Sequence, residues 1–441
     1  MIPKAYSAGG TAELYSIPTD RFKAGVFSVL SVLPVTEENA CMAPLLLSVL
    51  RRGTERYPTL AEINRRLDWL WGTGFTLRTS YRGNLLAVGF SANLLDGSYL
   101  PDGGSDLLEG IPELMAQILL HPVRDGDGLL SAKYTESEKQ LQQDSIRAQK
   151  NNPRAYACDR CRSLLYADEP CGFPLLGTEE QTAAVTRETL SAYYQSFLRD
   201  FRPVAFSVGS APAETLCREL ERRFGGILTA PDRLPFCGHA VVPREPVCVR
   251  ETLPVSQSQL VLGLYTGILM GDSLFYACAV YNEMLGLSPV SRLFVHVRER
   301  LSLCYSCSSS YNGHMGTMLI CCGLANENRD AAEHEILRQL DLLRQGEFTD
   351  AELDAAKRSL ANGYRQLEDS AGGLESYWFG RMLMGERACG TIGESVAQIR
   401  AVTRDEVLRV AAGVTVGVTY FLEGTLAASD PGEDDGEDEG I

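Results

Sequence analysis

A chain of 441 residues with 45% hydrophobic and 22% charged residues has the make-up of a globular protein and enough length for two ordinary domains, which excludes a disordered or fibrous chain. Its formal net charge is −16; Asp430, Glu433, Asp434, Asp435, Glu437, Asp438 and Glu439 supply seven of those charges, leaving −9 for the rest. A mildly acidic body with no basic stripe among its aromatics argues against nucleic acid as a partner, and no apolar run approaches the roughly eighteen residues of a membrane span. The start, MIPKAYSAGGTAELYSIPTDRF, lacks the basic patch and apolar core of a secretory signal, so a cytoplasmic protein without membrane contact is expected. Thirteen scattered cysteines fit reduced core thiols better than a disulfide framework.

Taken in order, Phe22 to Leu33 reads as a strand and Glu37 to Leu50 as a long apolar helix ending at Arg51-Arg52-Gly53. A helix from Leu60 to Trp71 turns Leu60, Ile63, Leu67 and Leu70 inward, and a hairpin follows, Phe75 to Ser80 with Leu85 to Asn93. Ser91 to Asp106, with Gly97, Pro101, Gly103 and Gly104, reads as a surface loop. Helices run from Leu107 to Leu120 and from Ser131 to about Lys150, a helix ends near Leu198, and Val204 to Gly209 is a strand. Later come a strand Gln259 to Tyr265, a helix Ser273 to Leu285, helices Ala331 to Arg344, Thr349 to Glu368 and Leu374 to Met384, and a strand Val416 to Leu422.

Two short matches recur in the same order. Ala184 to Leu190 (AVTRETL) and Ala401 to Val407 (AVTRDEV) lie 217 residues apart, each with a Thr placed to cap a helix and acids in its first turn. Ser80-Tyr81-Arg82-Gly83 and Ser310-Tyr311-Asn312-Gly313 lie 230 apart. This reads as an internal duplication. Pro231, Pro235, Pro243 and Pro246 mark the junction, giving an expected first domain 1–228, linker 229–246, second domain 247–428 and a solubilising acidic tail 429–441. Each half mixes helices with largely antiparallel strands, so the expected class is α+β.

Ser291 to Leu324, SRLFVHVRERLSLCYSCSSSYNGHMGTMLICCGL, joins an amphipathic helix to a hairpin. Leu293, Phe294, Val297 and Leu301 share one helical face with Arg298 beside it, and a strand is expected from near Cys304, so the Arg298 guanidinium and the Tyr305 phenol can converge on one cavity wall. Residue physics alone favours a solvated or salt-bridged Arg and a core Tyr. Cys304 and Cys307 on a strand would face opposite ways, and Cys158-x-x-Cys161 lacks a second CxxC, so neither is expected to hold a metal.

SRLF-x-x-VRE-x-LSLCYS resembles a segment of the second domain of the pitrilysin/insulinase family of zinc peptidases. The resemblance spans nearly the whole chain and implies two homologous domains of the LuxS/processing-peptidase-like metallohydrolase fold in a clamshell. It also implies that Arg298 and Tyr305 bind the scissile carbonyl of a peptide across the chamber from the metal. The family's inverted HxxEH motif supplies two zinc ligands and a general base. Here the matching run is ENACMAPLLLSVLRRGT, which puts Pro44, Leu47 and Ser48 at those positions, and EKQLQQDSI puts Ser145 at the third ligand. None of the four can serve, and no HxxEH or HExxH occurs in the chain; His296-x-x-Glu299-Arg300 ends in Arg. The resemblance is therefore to zinc-less subunits, such as the inactive chain of bacterial heterodimeric peptidases and of mitochondrial processing peptidase. It implies no metal in this chain, zinc in a paralogous partner subunit, and oxyanion stabilisation in trans by Arg298 and Tyr305. The competing expectation is a peptide-binding or scaffold protein of the same fold, a homodimer included, with no proteolytic role.

Overall fold

The computed structural model describes residues 2–8, 12–225 and 234–426; the acidic tail and the start of the proline-rich junction lie outside them. Eleven strands among the described residues build two sheets. The first holds β1 (Lys4–Ala8), β2 (Ala12–Pro18), β3 (Ala24–Pro34), β4 (Phe75–Arg82), β5 (Leu85–Leu95) and β6 (Pro203–Gly209) in the order β1-β2-β6-β3-β5-β4. The second holds β7 (Val247–Leu253), β8 (Ser258–Tyr265), β9 (Ser306–Asn312), β10 (Thr317–Leu324) and β11 (Thr415–Gly424) in the order β7-β11-β8-β10-β9. Without β1 the two orders correspond strand for strand. The β2–β6 and β7–β11 pairs are parallel, and the other pairs antiparallel. The fold is α+β.

The two similar heptapeptides occupy equivalent places. Thr186 caps the helix Arg187–Asp200 ahead of β6, and Thr403 caps the helix Arg404–Gly413 ahead of β11; each hydroxyl accepts a backbone N–H one turn on. Such caps stabilise a helix by about 1 kcal/mol each. Some boundaries differ from the expected ones. Ser91 to Leu95 continue β5, so the loop is shorter than its glycines suggest. β1, β2 and β7 go unsignalled because β1 and β7 are edge strands, β7 with exposed or half-buried residues throughout, and β2 is a short mixed segment.

Each half lends a helix to the other's sheet. Pro153–Leu165 packs on β8, β10 and β11, where Cys161 and Leu165 lie over Gly263 and Tyr166 Oη is 2.7 Å from Thr317 Oγ1. In return, Ala371–Leu383 packs on β3 and β6, and Phe379 meets Phe206 edge-on at 5.8 Å. β6 and β8 are consequently buried along their whole length, which explains why their sequences are apolar on both faces. Glu375 on the lent helix is 1% exposed; it accepts from Ser28 Oγ at 2.5 Å and pairs with Arg78 Nη1 at 3.1 Å.

The tips of the two matching hairpins meet at this seam. Gly83 has φ +59°, and a Cβ there would lie 1.8 Å from Cys237 O and 3.3 Å from His314 Cβ, so neither conformation nor space admits a side chain. Burial, with Arg82 beside it, pulls the His314 imidazole down to about 4 from its ordinary 6.5. The unfolded chain then takes up a proton near pH 6.5 that the folded chain refuses until about pH 4. Stability from this group is full above pH 6.5 and is lost as pH falls through that window, by up to about 1.4 kcal/mol per pH unit. His314→Gln is expected to flatten the urea-midpoint profile between pH 6.5 and 4 relative to the parent; parallel profiles would contradict it.

Candidate functional site

The helix Glu37–Arg51 starts where the Thr36 hydroxyl accepts from Asn39 N–H at 3.0 Å, and carries Pro44, Leu47 and Ser48 in its middle. Pro44 and Leu47 are buried, and Ser48 is half-buried. Proline has no N–H to give Ala40 O; the N–H of Leu176 takes that carbonyl at 3.1 Å instead. The helix Ala132–Ala148 packs alongside, but Ser145 is exposed and returns its hydroxyl to Leu141 O at 2.8 Å. The side chain that crosses to the first helix is Gln142, whose Nε2 donates to Cys41 O at 3.1 Å and to Leu176 O at 3.0 Å. These helices hold carbonyls and hydroxyls together. They converge no carboxylate or imidazole at the four positions, so the group cannot bind zinc or activate water.

On the second unit, the segment after Ser291 winds as a π-helix, Phe294–Arg300, with the Leu301 N–H reaching back five residues to His296 O at 3.3 Å. Ser302 at φ +50° ends it, and the N–H of Leu303 closes on Val297 O at 3.0 Å. A non-glycine left-handed residue of this kind costs about 1 to 3 kcal/mol and is characteristic of functional segments, as π-turns are. Leu301 lies past the helix end and is 50% exposed, not on the apolar face that its spacing suggested. β9 begins at Ser306, so Cys304 and Tyr305 precede the strand.

This reversal brings Arg298 and Tyr305 to one cleft of about 610 Å³, lined also by Glu299, Ser302, Leu303, Cys304, Ala325 and Asn328. The Arg298 guanidinium lies 4.7 Å from the Phe294 ring centroid, and its Nε is 3.7 Å from Glu299 Oε1; ring and carboxylate hold it without burying it. Tyr305 is 59% exposed, and its backbone N–H donates to Gly323 O at 2.8 Å. A guanidinium and a phenol presented this way can donate to a carbonyl oxygen.

Sequence reasoning missed what lies under this wall. Because Cys304 precedes the strand, the alternation argument does not apply to it, and the sulfurs of Cys304, Cys307 and Cys322 lie within 4.8 Å of one another. Cys307 and Cys322 are direct partners across β9 and β10. Hydrogen bonds from the Cys307 and Cys322 thiols, with Arg298 helping against burial, pull the Cys304 thiol well below its ordinary range, while donating to Cys304, together with burial, pushes Cys307 well above. The signal was the hairpin register, which pairs Cys322 with Cys307 once the turn is placed at 313–316.

Fold and site together define an α+β protein of two units with matching strand orders and a polar cleft on the second. Residues 184–360 match the peptidase M16 inactive domain. The probable inactive metalloprotease YmfF of Bacillus subtilis is 26% identical over 428 residues, 97% of this chain and 98% of its own length. A conserved protein from Enterococcus faecalis V583 superposes with a TM-score of 0.88 at 26% identity, over 98% of this chain and all of that one. The peptidase M16 inactive domain from Pseudomonas fluorescens gives 0.76 at 19% identity, over 97% of this chain and all of that one, a likeness of fold. The chain is thus similar over part of its length to the peptidase M16 inactive domain, and over nearly all of it to a probable inactive metalloprotease. No described helix is long and apolar enough to cross a membrane.

Proposed function

We propose that this chain is the non-catalytic subunit of a two-chain, cytoplasmic M16 peptidase. In that assembly it supplies Arg298, Tyr305 and half of a chamber to a zinc-bearing paralogous subunit that hydrolyses peptides. The observation that carries the reading is the shared cleft: the two donors that a developing oxyanion needs stand on one wall, exposed and unburdened by strong ion pairs. The equivalent strand orders of the two sheets support a duplicated origin, in which one half kept its substrate-binding face and the other its architecture alone. The alternative, a peptide-binding or scaffold protein, uses the same two donors on a ground-state carbonyl with no chemistry to follow. Reconstitution with a zinc-bearing paralogue decides between them: chelator-sensitive peptide hydrolysis that requires both chains supports the first, and a stable complex that leaves the partner's turnover unchanged supports the second.

The degenerate half yields its own expectation. Pro44→His with Ser48→His installs two imidazoles on one helix, but Leu47 offers no base and Ser145 points away, bonded to its own helix. The double variant is expected to hydrolyse no peptide in a zinc-supplemented fluorogenic assay. Turnover by that variant would show that the helix Glu37–Arg51 is out of register with the family motif.

A further inference from the structure

We propose that Cys304, Cys307 and Cys322 form a three-thiolate site for one thiophilic closed-shell cation, Zn²⁺ or Cu⁺, with its open side on the Arg298 and Tyr305 cleft. The mutual sulfur distances, all within 4.8 Å, carry the proposal. Tetrahedral zinc with Zn–S near 2.3 Å sets its sulfurs about 3.8 Å apart, so side-chain rotations of about 1 Å close the site. Two of the ligands are held by strand pairing, Cys307 opposite Cys322, both buried; the third arrives from the loop that the left-handed Ser302 turns back. Cys304 alone of the three lines the cleft, which makes it the ligand through which the ion enters and next to which a fourth ligand binds.

The donor set selects the ion. The group holds sulfur alone, which disfavours the hard cations Ca²⁺ and Mg²⁺ and suits Zn²⁺ or Cu⁺. Binding forms three metal–sulfur bonds and releases to solvent the protons that the thiols still carry, with no change of oxidation state. The complex keeps a net charge of −1 with Zn²⁺ or −2 with Cu⁺, and the Arg298 guanidinium on the same wall stabilises it. A site here revises the expectation that the chain holds no metal: that expectation followed from the inverted motif, which lies on the other unit. The proposal needs no partner subunit and stands apart from the peptidase reading.

The test uses the full chain, reduced under anaerobic conditions, stripped with chelator and titrated separately with Zn²⁺ and Cu⁺, and with Co²⁺ as a spectroscopic probe. The expected result is one equivalent bound, a thiolate-to-cobalt charge-transfer band, and three thiols protected from alkylation. Cys304→Ser, at a half-buried position, should keep its circular dichroism and weaken binding by more than the roughly 10- to 100-fold that loss of a supporting contact costs. Cys248→Ser, at an exposed position on β7, should bind as the parent does. Absence of the cobalt band, or equal binding by parent and Cys304→Ser, overturns the proposal, as does binding lost in Cys158→Ser and kept in Cys304→Ser.

Discussion

Arg298→Ala or Tyr305→Phe, in this chain reconstituted with a zinc-bearing subunit, is expected to lower kcat roughly 100- to 1,000-fold, about 2.7 to 4 kcal/mol of transition-state stabilisation, while the pair still assembles. The size of the effect depends on water. In the isolated chain the Arg298 side chain is 43% exposed and Tyr305 59%, where a hydrogen bond exchanges with solvent for little gain. A partner closing over the cleft removes that competition, and both donors then act on charge that appears only in the transition state. Tyr305→Phe is the sharper variant, since it deletes one hydroxyl and keeps the ring. KM should change less than kcat, because the lost contact strengthens as the oxyanion forms. Parent turnover in both variants, with size-exclusion chromatography showing an intact pair, would remove both residues from the mechanism and favour the scaffold reading.

Arg78→Ala is expected to destabilise the chain by about 3 to 5 kcal/mol in urea unfolding, the cost of leaving a buried carboxylate without its cation. Glu375 is almost wholly enclosed, and after the substitution the Ser28 hydroxyl would be its remaining side-chain hydrogen bond, with Arg82 acting on it through charge alone. Arg78→Met with Glu375→Leu should recover most of the loss, because apolar groups of similar volume often replace a buried pair at little cost. A double variant as unstable as the single one would locate the effect in packing and not in charge.

What could be read from the sequence was the part that local physics controls. Thr186 and Thr403 announce their helices because a cap is a contact between near neighbours. The apolar run of β8 announces a strand because both its faces are buried. Arg298 and Tyr305 could be placed on one wall from helix and strand periods, though the pairing is delivered by a π-helix and a left-handed serine that periodicity does not encode. The three-thiol cluster escapes periodicity for a related reason: strand alternation does not extend to Cys304, which sits two residues before the strand starts. Gln142 was invisible, since its partners Cys41 and Leu176 come from elements distant in the chain.

The lent helices restrict how this molecule can move. Swinging one sheet away from the other about the junction would strip Pro153–Leu165 from β8 and Ala371–Leu383 from β6, exposing both apolar faces together and stranding Glu375. That cost is paid on unfolding, not in a hinge cycle. The two halves are therefore joined through both lent helices, and either half by itself would leave bare the sheet face that the other's helix covers. In the proposed two-chain chamber, admission and release of a peptide would then fall to quaternary motion, one chain tilting against the other, with the threshold for entry set where the chains touch.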